Sequence, residues 1–414
     1  MAMARCIAEA VVEAGGRTYF VGGCVRDRLM GWENKDIDIE VHGVSVRALE
    51  AILDGLGERT TMGASFGIMG LRHYDLDIAM PRSEKATGRG HKDFEVFVDP
   101  FIGEERAAMR RDFTMNALME DVLTGEVLDF FGGREDIAAG RIRHVSDATF
   151  AEDPLRVFRA AQFAARFNFT VAEETTAISA TMAVEALASE RVMGELEKAL
   201  LKAARPSIFF RELEKMGQLN PWFEELAALP RDDWRRVMAG LDGAAAVRSE
   251  TSRPLDFMLA AACAGFAPPA AKRFLARLTN AAEATRYVLN MAQRHGEMDA
   301  LLAADPGEAA WMAFFDGTAC PEDLILLERA TRGDGTPDWP GIEDHLRETV
   351  ALYRHRMALP HVMGRDLVEA GVRPGPEMGR ALAYAHGLRL AGVDKAGQLR
   401  RTLAWIGQEV KGDA

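Results

Sequence analysis

The chain has 414 residues, 48% of them hydrophobic, and a formal net charge of −13. That length accommodates about two to four domains, and that apolar content supports a packed core, which excludes a disordered chain. The acidic balance repels nucleic acid overall, so any nucleic-acid partner has to be met by a local basic patch.

The first 140 residues mix helix and strand signals. A helix over residues 6–14 stops at Gly15-Gly16, and a short apolar strand follows over 18–21. Gly22-Gly23 then turns the chain into a helix over 25–30. A glycine pair of this kind lets backbone N–H groups approach an anion closely. A strand over 36–41 carries the most informative residues, Asp36-Ile37-Asp38-Ile39. Successive side chains of a strand alternate, so Asp36 and Asp38 aim two carboxylates at one point while Ile37 and Ile39 enter the core. Two hard oxygen ligands side by side suit Mg²⁺, and acids are disfavoured on strands unless a site needs them. Turn, helix and acidic strand together describe a seat for a metal-bound triphosphate. Each feature alone has an ordinary reading, a turn for the glycines and an exposed edge or cap for the acids.

Residues 46–56 read as a helix ending near Gly57, and 66–71 and 74–80 read as paired strands. The second of these strands supplies the third acid that a two-metal site calls for. Asp77 is the first choice and Asp75 the alternative, against the plain reading of a solvated strand face. Residues 81–92 are rich in Gly and charge and read as a mobile loop. A helix is expected over 105–120. It carries Arg111, a planar fork for phosphate oxygens, and sets Asp112 and Asn116 at i, i+4, where they can fix one ligand edge such as a ribose hydroxyl. The alternative for that pair is a hydrogen bond on the helix surface. A short strand ends at Leu128-Asp-Phe-Phe131-Gly132-Gly133, and beyond about residue 150 the pattern is almost entirely helical.

In Glu152-Asp153-Pro154-Leu155-Arg156-Val-Phe-Arg159, Pro154 fits a first helical position and Asp153 an N-cap. A functional reading stands beside it. Cytosine and adenine each present an exocyclic amino donor next to a ring-nitrogen acceptor, which one Asp and one Arg satisfy together. Uracil and guanine fail both contacts and leave buried polar groups unpaired.

Basic clusters occur at Arg82, Lys85, Arg89 and Lys92, at Arg106, Arg110 and Arg111, and at Arg141, Arg143 and His144; scattered solubilising charge is the plain alternative for each. The cysteines Cys6, Cys24, Cys263 and Cys320 lack metal spacing and read as free thiols. No apolar run approaches the ~20 residues of a membrane span, and the N-terminal residues form no long apolar segment. A cytoplasmic protein is expected.

Taken together, these residues resemble the class II tRNA nucleotidyltransferase family, the bacterial CCA-adding enzymes with their poly(A) polymerase relatives. The resemblance rests on Gly22-Gly23-x-Val25-Arg26-Asp27, Asp36-x-Asp38, Arg110-Arg111-Asp112-Phe-Thr-x-Asn116-Ala-Leu118, Gly132-Gly133-x-x-Asp136 and Glu152-Asp153-Pro-Leu-Arg156-x-x-Arg159. Glu190-Arg191-Val192-x-x-Glu195-Leu196-x-Lys198 and the segment from Gly364-Arg365-Asp366-Leu367 to Gly379 extend it over nearly the whole chain. It implies an α+β nucleotidyltransferase head of the polymerase-β-like type with a small mixed sheet, followed by an all-α neck, body and tail. The implied divisions are a catalytic head over 1–140, a base-recognising neck over 141–205, a body over 206–350 and a tRNA-binding tail over 351–414.

The implied activity is addition of C, C and A to the 3′ end of tRNA from CTP and ATP, with tRNA as partner and neither DNA nor a membrane involved. Asp36 and Asp38 would hold two Mg²⁺ ions, with Asp77 as a further catalytic acid. Gly22, Gly23, Arg26 and Arg111 would bind phosphates and sugar, and Asp153 and Arg156 would read the base with support from Arg159. The loop over 82–92 matches a segment that helps the family's site switch from C to A. Two departures stand out. Gln162 occupies a position where the family often has another Arg, which is expected to modulate affinity or the C-to-A switch. The stretch Phe257-Met-Leu-Ala-Ala-Ala-Cys263-Ala-Gly-Phe266 lies where some members carry the His-Asp pair of a phosphohydrolase domain, yet has no such pair. A hydrolase-like helical fold without hydrolase activity is expected there, with His295 an ordinary helix residue. The rivals are a poly(A) polymerase of the same family and an RNA-binding protein without catalysis.

Overall fold

The computed structural model describes residues 1–33, 36–62, 68–86, 94–304, 306–332 and 339–412, with side chains described over slightly narrower limits around residues 61–67, 83–97 and 408–414. The chain divides into two compact units, Met1–Ala227 and Ala228–Ala414.

The first unit opens with α1 (Ala2–Glu13), β1 (Arg17–Val21), α2 (Gly23–Leu29), β2 (Ile37–His42) and α3 (Val46–Leu56). Then follow β3 (Arg59–Met62), β4 (Ile68–Leu71), β5 (Leu76–Ala79), β6 (Arg82–Ala86) and β7 (Phe94–Val98). Next come α4 (Glu104–Met109), a 3₁₀ turn (Thr114–Asn116), β8 (Met119–Asp121), β9 (Val127–Leu128), α5 (Gly133–Ala139), β10 (Arg141–Ile142) and α6 (Asp147–Phe150). The unit closes with α7 (Leu155–Phe167), β11 (Thr170–Val171), α8 (Glu173–Ser179), α9 (Ser189–Lys202), α10 (Ser207–Lys215) and α11 (Glu224–Ala227).

Its main sheet is mixed and seven-stranded, in the order β3-β4-β5-β2-β1-β8-β9. Strand alternation decides what each face becomes. On β2, Ile39 and Val41 are fully buried, packed with Ile7 and Val11 of α1, Leu49 and Leu53 of α3, and Ile78 of β5. The opposite face is left to Asp38, Glu40 and His42. Helix α3 starts where Ser45 Oγ accepts a hydrogen bond from the Ala48 N–H at 3.2 Å, an N-cap that satisfies one orphan donor. On α9, Val192, Glu195, Leu196, Ala199 and Leu200 are buried, the stripe expected of an amphipathic helix, and α9 and α10 both pack on α7.

Two expected elements differ from those observed. Residues 82–86 are not part of a loop: β6 pairs with β7 in an antiparallel hairpin, while residues 87–93 lie outside the described residues, including Arg89 and Lys92. The helix expected over 105–120 ends at Met109. Asp112 takes the Phe113 N–H on its own carboxylate at 2.8 Å, and Phe113 is extended, buried and bridged to His144. A side chain that captures a neighbouring backbone donor competes with the helix, and here it wins.

The second unit comprises α12 (Arg231–Val247), α13 (Pro254–Cys263), α14 (Pro268–Leu278), α15 (Ala282–Ala304), α16 (Glu308–Asp316) and α17 (Pro321–Arg332). It continues with α18 (Trp339–Ala358), α19 (Gly364–Glu369), α20 (Pro376–Leu390) and α21 (Lys395–Gly412). A Cβ at Gly243 on α12 would lie 2.2 Å from the Ala330 carbonyl oxygen of α17, so glycine is what lets these helices meet. Among the described residues no helix is long and apolar enough to cross a membrane.

The helical part of the first unit is held by Phe158 of α7 with Phe209 and Phe210 of α10 and Phe223, all fully buried, with ring centroids 5.2–6.5 Å apart. Phe223→Ala is expected to lower stability by about 3–5 kcal/mol, read as an earlier urea unfolding midpoint.

Candidate active site

The site is built on β2. Asp36 is exposed just ahead of the strand, and Asp38 is half-buried within it. β2 and β5 run parallel, and their register sets Asp38 directly beside Asp77. Residues in register on neighbouring strands face the same way, so Asp77 joins Asp38 on the polar face. Asp75 lies ahead of β5 and is exposed. Burial, then the charges of Asp77 and Asp36, push the Asp38 carboxyl above its ordinary pKa, while Arg111 opposes them. Among the described residues no three or more His, Cys, Asp or Glu side chains form a closed metal cage. What the sheet offers is an open group of hard carboxylate oxygens on one face, whose mutual repulsion a divalent cation would relieve, and such a site fits an ion that also takes oxygens from its substrate.

Asp36 and Asp38 line a cleft of about 370 Å³ together with Gly22, Gly23, Arg111, Arg159, Gln162 and Lys202. Arg26, Asp27, Asp112, Asn116, Arg166 and Lys198 also reach its wall. Six basic side chains therefore face four carboxylates, a local cationic excess in an acidic chain. Gly22 adopts φ +71°, and a Cβ there would lie 3.0 Å from Arg111 Nη1, so the glycine leaves room for the guanidinium. Arg111 Nη2 lies 3.3 Å from Glu40 Oε2.

Several expected ligand contacts are engaged within the protein. Arg26 is buried. Its Nε donates to Asp27 Oδ1 at 2.7 Å and its Nη1 to Asn116 Oδ1 at 2.6 Å, while the guanidinium lies 4.7 Å from the Phe167 ring centroid. Asn116 Nδ2 donates to Asp112 Oδ1 at 2.9 Å, so the pair is bonded to itself, the plain alternative, though buried and across a 3₁₀ turn and not on a helix surface. The other oxygen of Asp112 accepts from Arg159 Nε at 2.7 Å and Nη2 at 2.6 Å. Burial would raise the Asp112 carboxyl, but Arg159, Asn116 and Arg156 together hold it below the usual carboxylate range. Arg159 also approaches Glu195 at 3.7 Å and lies 5.2 Å from the Phe163 ring centroid.

Asp153 and Arg156 do not line this cleft. Asp153 Oδ1 accepts the Leu155 N–H at 3.1 Å, which is the capping contact, and Oδ2 accepts from Arg191 Nη2 at 2.8 Å. Arg156 donates to the carbonyls of Thr149 and, at 2.9 Å, Arg110. Gln162 is 1% exposed and its Nε2 has no hydrogen-bond partner. In the third basic cluster, Arg141 and Arg143 pair with Asp136 at 3.4 and 3.2 Å and His144 with Asp147 at 2.6 Å, so those charges brace the fold.

Sequence reasoning left Glu40, His42, Arg166 and Lys202 without roles. Glu40 continues the acidic alternation of Asp36 and Asp38 by one step, and Lys202 repeats Lys198 one helical turn on; both signals are present in the sequence.

In the second unit, Ala261, Ala264 and Gly265 line a cavity of about 380 Å³ with His295, Asp299 and Arg332. His295 is no ordinary helix residue: its Nδ1 lies 2.6 Å from Glu328 Oε1, and Arg332 Nε and Nη2 reach Glu328 Oε2 at 2.9 and 2.8 Å. Glu328 is fully buried, so these partners supply the compensation that such a charge requires.

A family model described as the poly A polymerase head domain matches residues 18–143. The CCA-adding enzyme of Pseudomonas putida strain F1 is 36% identical over 380 residues, covering 88% of this chain and 95% of that protein. The Multifunctional CCA protein of Pseudomonas putida strain KT2440 matches to the same extent. Among solved structures, the Thermotoga maritima CCA-adding enzyme complexed with tRNA superposes with a TM-score of 0.70 at 20% identity, covering 98% of this chain and 95% of that one. A CCA-adding enzyme with CTP gives a TM-score of 0.72 at 21% identity over the same shares. The solved structures bear on the fold, and the P. putida relatives carry the likeness in sequence along almost the full length of both chains. The chain belongs to the CCA-adding enzyme family.

Proposed function

We propose that this protein adds C, C and A to the 3′ end of tRNA, using CTP and ATP without a template and releasing pyrophosphate. The observation that carries this reading is the Asp38–Asp77 register, with Asp38 lining a cationic cleft, in a chain of this family. Enzymes of the family generally use divalent metal ions, and the hard-oxygen donors favour Mg²⁺ on Asp36 and Asp38. Bound there, it would activate the tRNA 3′ hydroxyl and stabilise charge at the α-phosphate. Asp77 adds a third carboxylate beside Asp38.

The remaining roles fall to the chain's own side chains. Arg111, over the Gly22-Gly23 turn, binds phosphate oxygens. Asn116 and Asp112 serve the nucleotide by holding Arg26 and Arg159 in place. Asp153 and Arg156, at the start of α7 one turn before Arg159, read the base; to do so they exchange Arg191 and the two carbonyls for its amino group and ring nitrogen. The head, neck, body and tail divide near residues 140, 205 and 350, and the enzyme works in the cytoplasm. The second unit hydrolyses no phosphate ester, because residues 257–266 supply no His-Asp pair.

Asp36→Asn should lower incorporation by on the order of 10³-fold while tRNA binding by filter retention stays within about threefold, and chelation should abolish incorporation until Mg²⁺ is restored. Unchanged turnover in Asp36→Asn would remove the carboxylate-bound metal from the mechanism. Sequencing the 3′ ends of product tRNA made with CTP and ATP tests the activity itself: termini reading CCA are expected, and long runs of A would mark a poly(A) polymerase. Asp153→Ala should erode discrimination against UTP and GTP by about 10²-fold, measured as kcat/KM ratios. Incubation with p-nitrophenyl phosphate and divalent metals should release no p-nitrophenol above the buffer control.

A further inference from the structure

Glu40 and His42 carry none of the roles given above, yet they are the polar pair that stands directly behind Arg111. Glu40 is 9% exposed and His42 4%. Glu40 Oε1 accepts a hydrogen bond from His42 Nε2 at 2.9 Å, and its Oε2 lies 3.3 Å from Arg111 Nη2. The carboxylate is gripped at both oxygens, by a fixed ring on one side and by the guanidinium at the cleft on the other.

The histidine itself is informative. Its ring packs edge-on against Tyr19, with centroids 5.4 Å apart and planes at 89°. Its Nδ1 is buried without a hydrogen-bond partner. Phenylalanine would keep the ring packing and remove that unsatisfied atom, so packing does not account for an imidazole here. What imidazole supplies and phenyl does not is the bond to Glu40. On the other side of Arg111, the missing Cβ of Gly22 leaves the space that Nη1 takes, since a Cβ there would lie 3.0 Å from it. The Glu40 contact thus biases a long side chain with many rotamers toward the cleft, and a guanidinium fork ordered beforehand meets an anion at a lower ordering cost.

We propose that Glu40, oriented by His42, is a positioning residue that sets Arg111 for the triphosphate of the incoming nucleotide. This rests on the assignment of Arg111 to phosphate. The triphosphate is common to CTP and ATP, so the pair acts on both nucleotides by the same factor and leaves the choice of base alone.

Steady-state kinetics with CTP and with ATP, on tRNA ending before the position each one fills, test this. Arg111→Ala should raise KM for both nucleotides. Glu40→Gln should raise both by about tenfold and His42→Phe by about fivefold, with kcat within about twofold of the parent. Glu40→Gln added to Arg111→Ala should raise KM no further. His42→Phe should melt within about 3 °C of the parent, so that affinity moves while stability does not, and it decides the matter if Glu40→Gln fails to fold. If Arg111→Ala raises KM but Glu40→Gln and His42→Phe do not, the positioning role is wrong and the phosphate assignment stands. If Arg111→Ala itself leaves KM unchanged, that assignment fails. A loss confined to one nucleotide, or to kcat, overturns the proposal as well.

Discussion

The two-residue period of a β-strand is the constraint on which this site depends. On β2 it sends Ile39 and Val41 into a core shared with α1, α3 and β5 and turns Asp38, Glu40 and His42 the other way. A slip of one residue would bury the acids and expose the core, so the same apolar contacts that stabilise the head also fix where its carboxylates point. The parallel neighbour β5 repeats the logic, with Leu76 and Ile78 inward and Asp77 outward. Catalytic geometry and hydrophobic burial are here two faces of one register, which is why the acids can be crowded together without unfolding the strand that carries them.

A second constraint ties that sheet to the helices behind it. Asp112 is 8% exposed and receives four hydrogen bonds, from Phe113, Asn116 and both Nε and Nη2 of Arg159. A buried carboxylate left with fewer partners would cost about 3–5 kcal/mol, so α7 is not free to drift from the segment that bears Arg111. Through Asn116 the same network reaches Arg26, which lies against Phe167 of α7. The segment bearing Arg111 and helix α7 are locked by one knot of charge, and the helix that sequence periodicity suggests over residues 105–120 gives way to it.

Much of this was legible in the chain itself. The glycine turn, the alternating acids and a mixed helix-and-strand region followed by helices come from local period and residue chemistry, and the family resemblance adds the head's fold; period alone leaves Asp75 and Asp77 on one face, and the β2–β5 pairing sets Asp77 beside Asp38. What could not be read are the tertiary partners. Nothing local says that Asp112 will capture the Phe113 N–H and end a helix, or that residues 82–86 will find a partner strand at 94–98. His295 looked ordinary because its partner, Glu328, is 33 residues away on another helix. Arg26 reaches the wall of the cleft, but its buried partners Asp27 and Asn116 could not be read from its short motif. The misses share a cause: each depends on which particular groups meet in the fold, strand with strand or charge with partner, and the local period does not say.

The charge distribution completes the argument. A chain of net charge −13 has to handle two polyanions, and it does so by segregating charge. In the cleft, Asp38 comes from β2 and Asp36 from the residue just ahead of it, while Lys198 and Lys202 come from α9 and Arg159 and Arg166 from α7. The two acids proposed to hold the metal therefore stand apart from these four cations, while Arg26–Asp27 and Arg111–Asp112 set both signs side by side, and the sum gives the cleft a polarity that a neutral pocket would lack. A nucleotide bearing a metal-bound triphosphate matches such a gradient in one orientation and opposes it in the other, since reversal would set phosphate oxygens against unshielded carboxylates. Over the rest of the surface the negative excess opposes non-productive adsorption of RNA, because exposed charges beyond about 8 Å are screened and only the local field of the cleft is felt at contact. Acidity overall and basicity within are thus compatible demands, and together they favour a short nucleic-acid end in a defined place over a long strand bound anywhere.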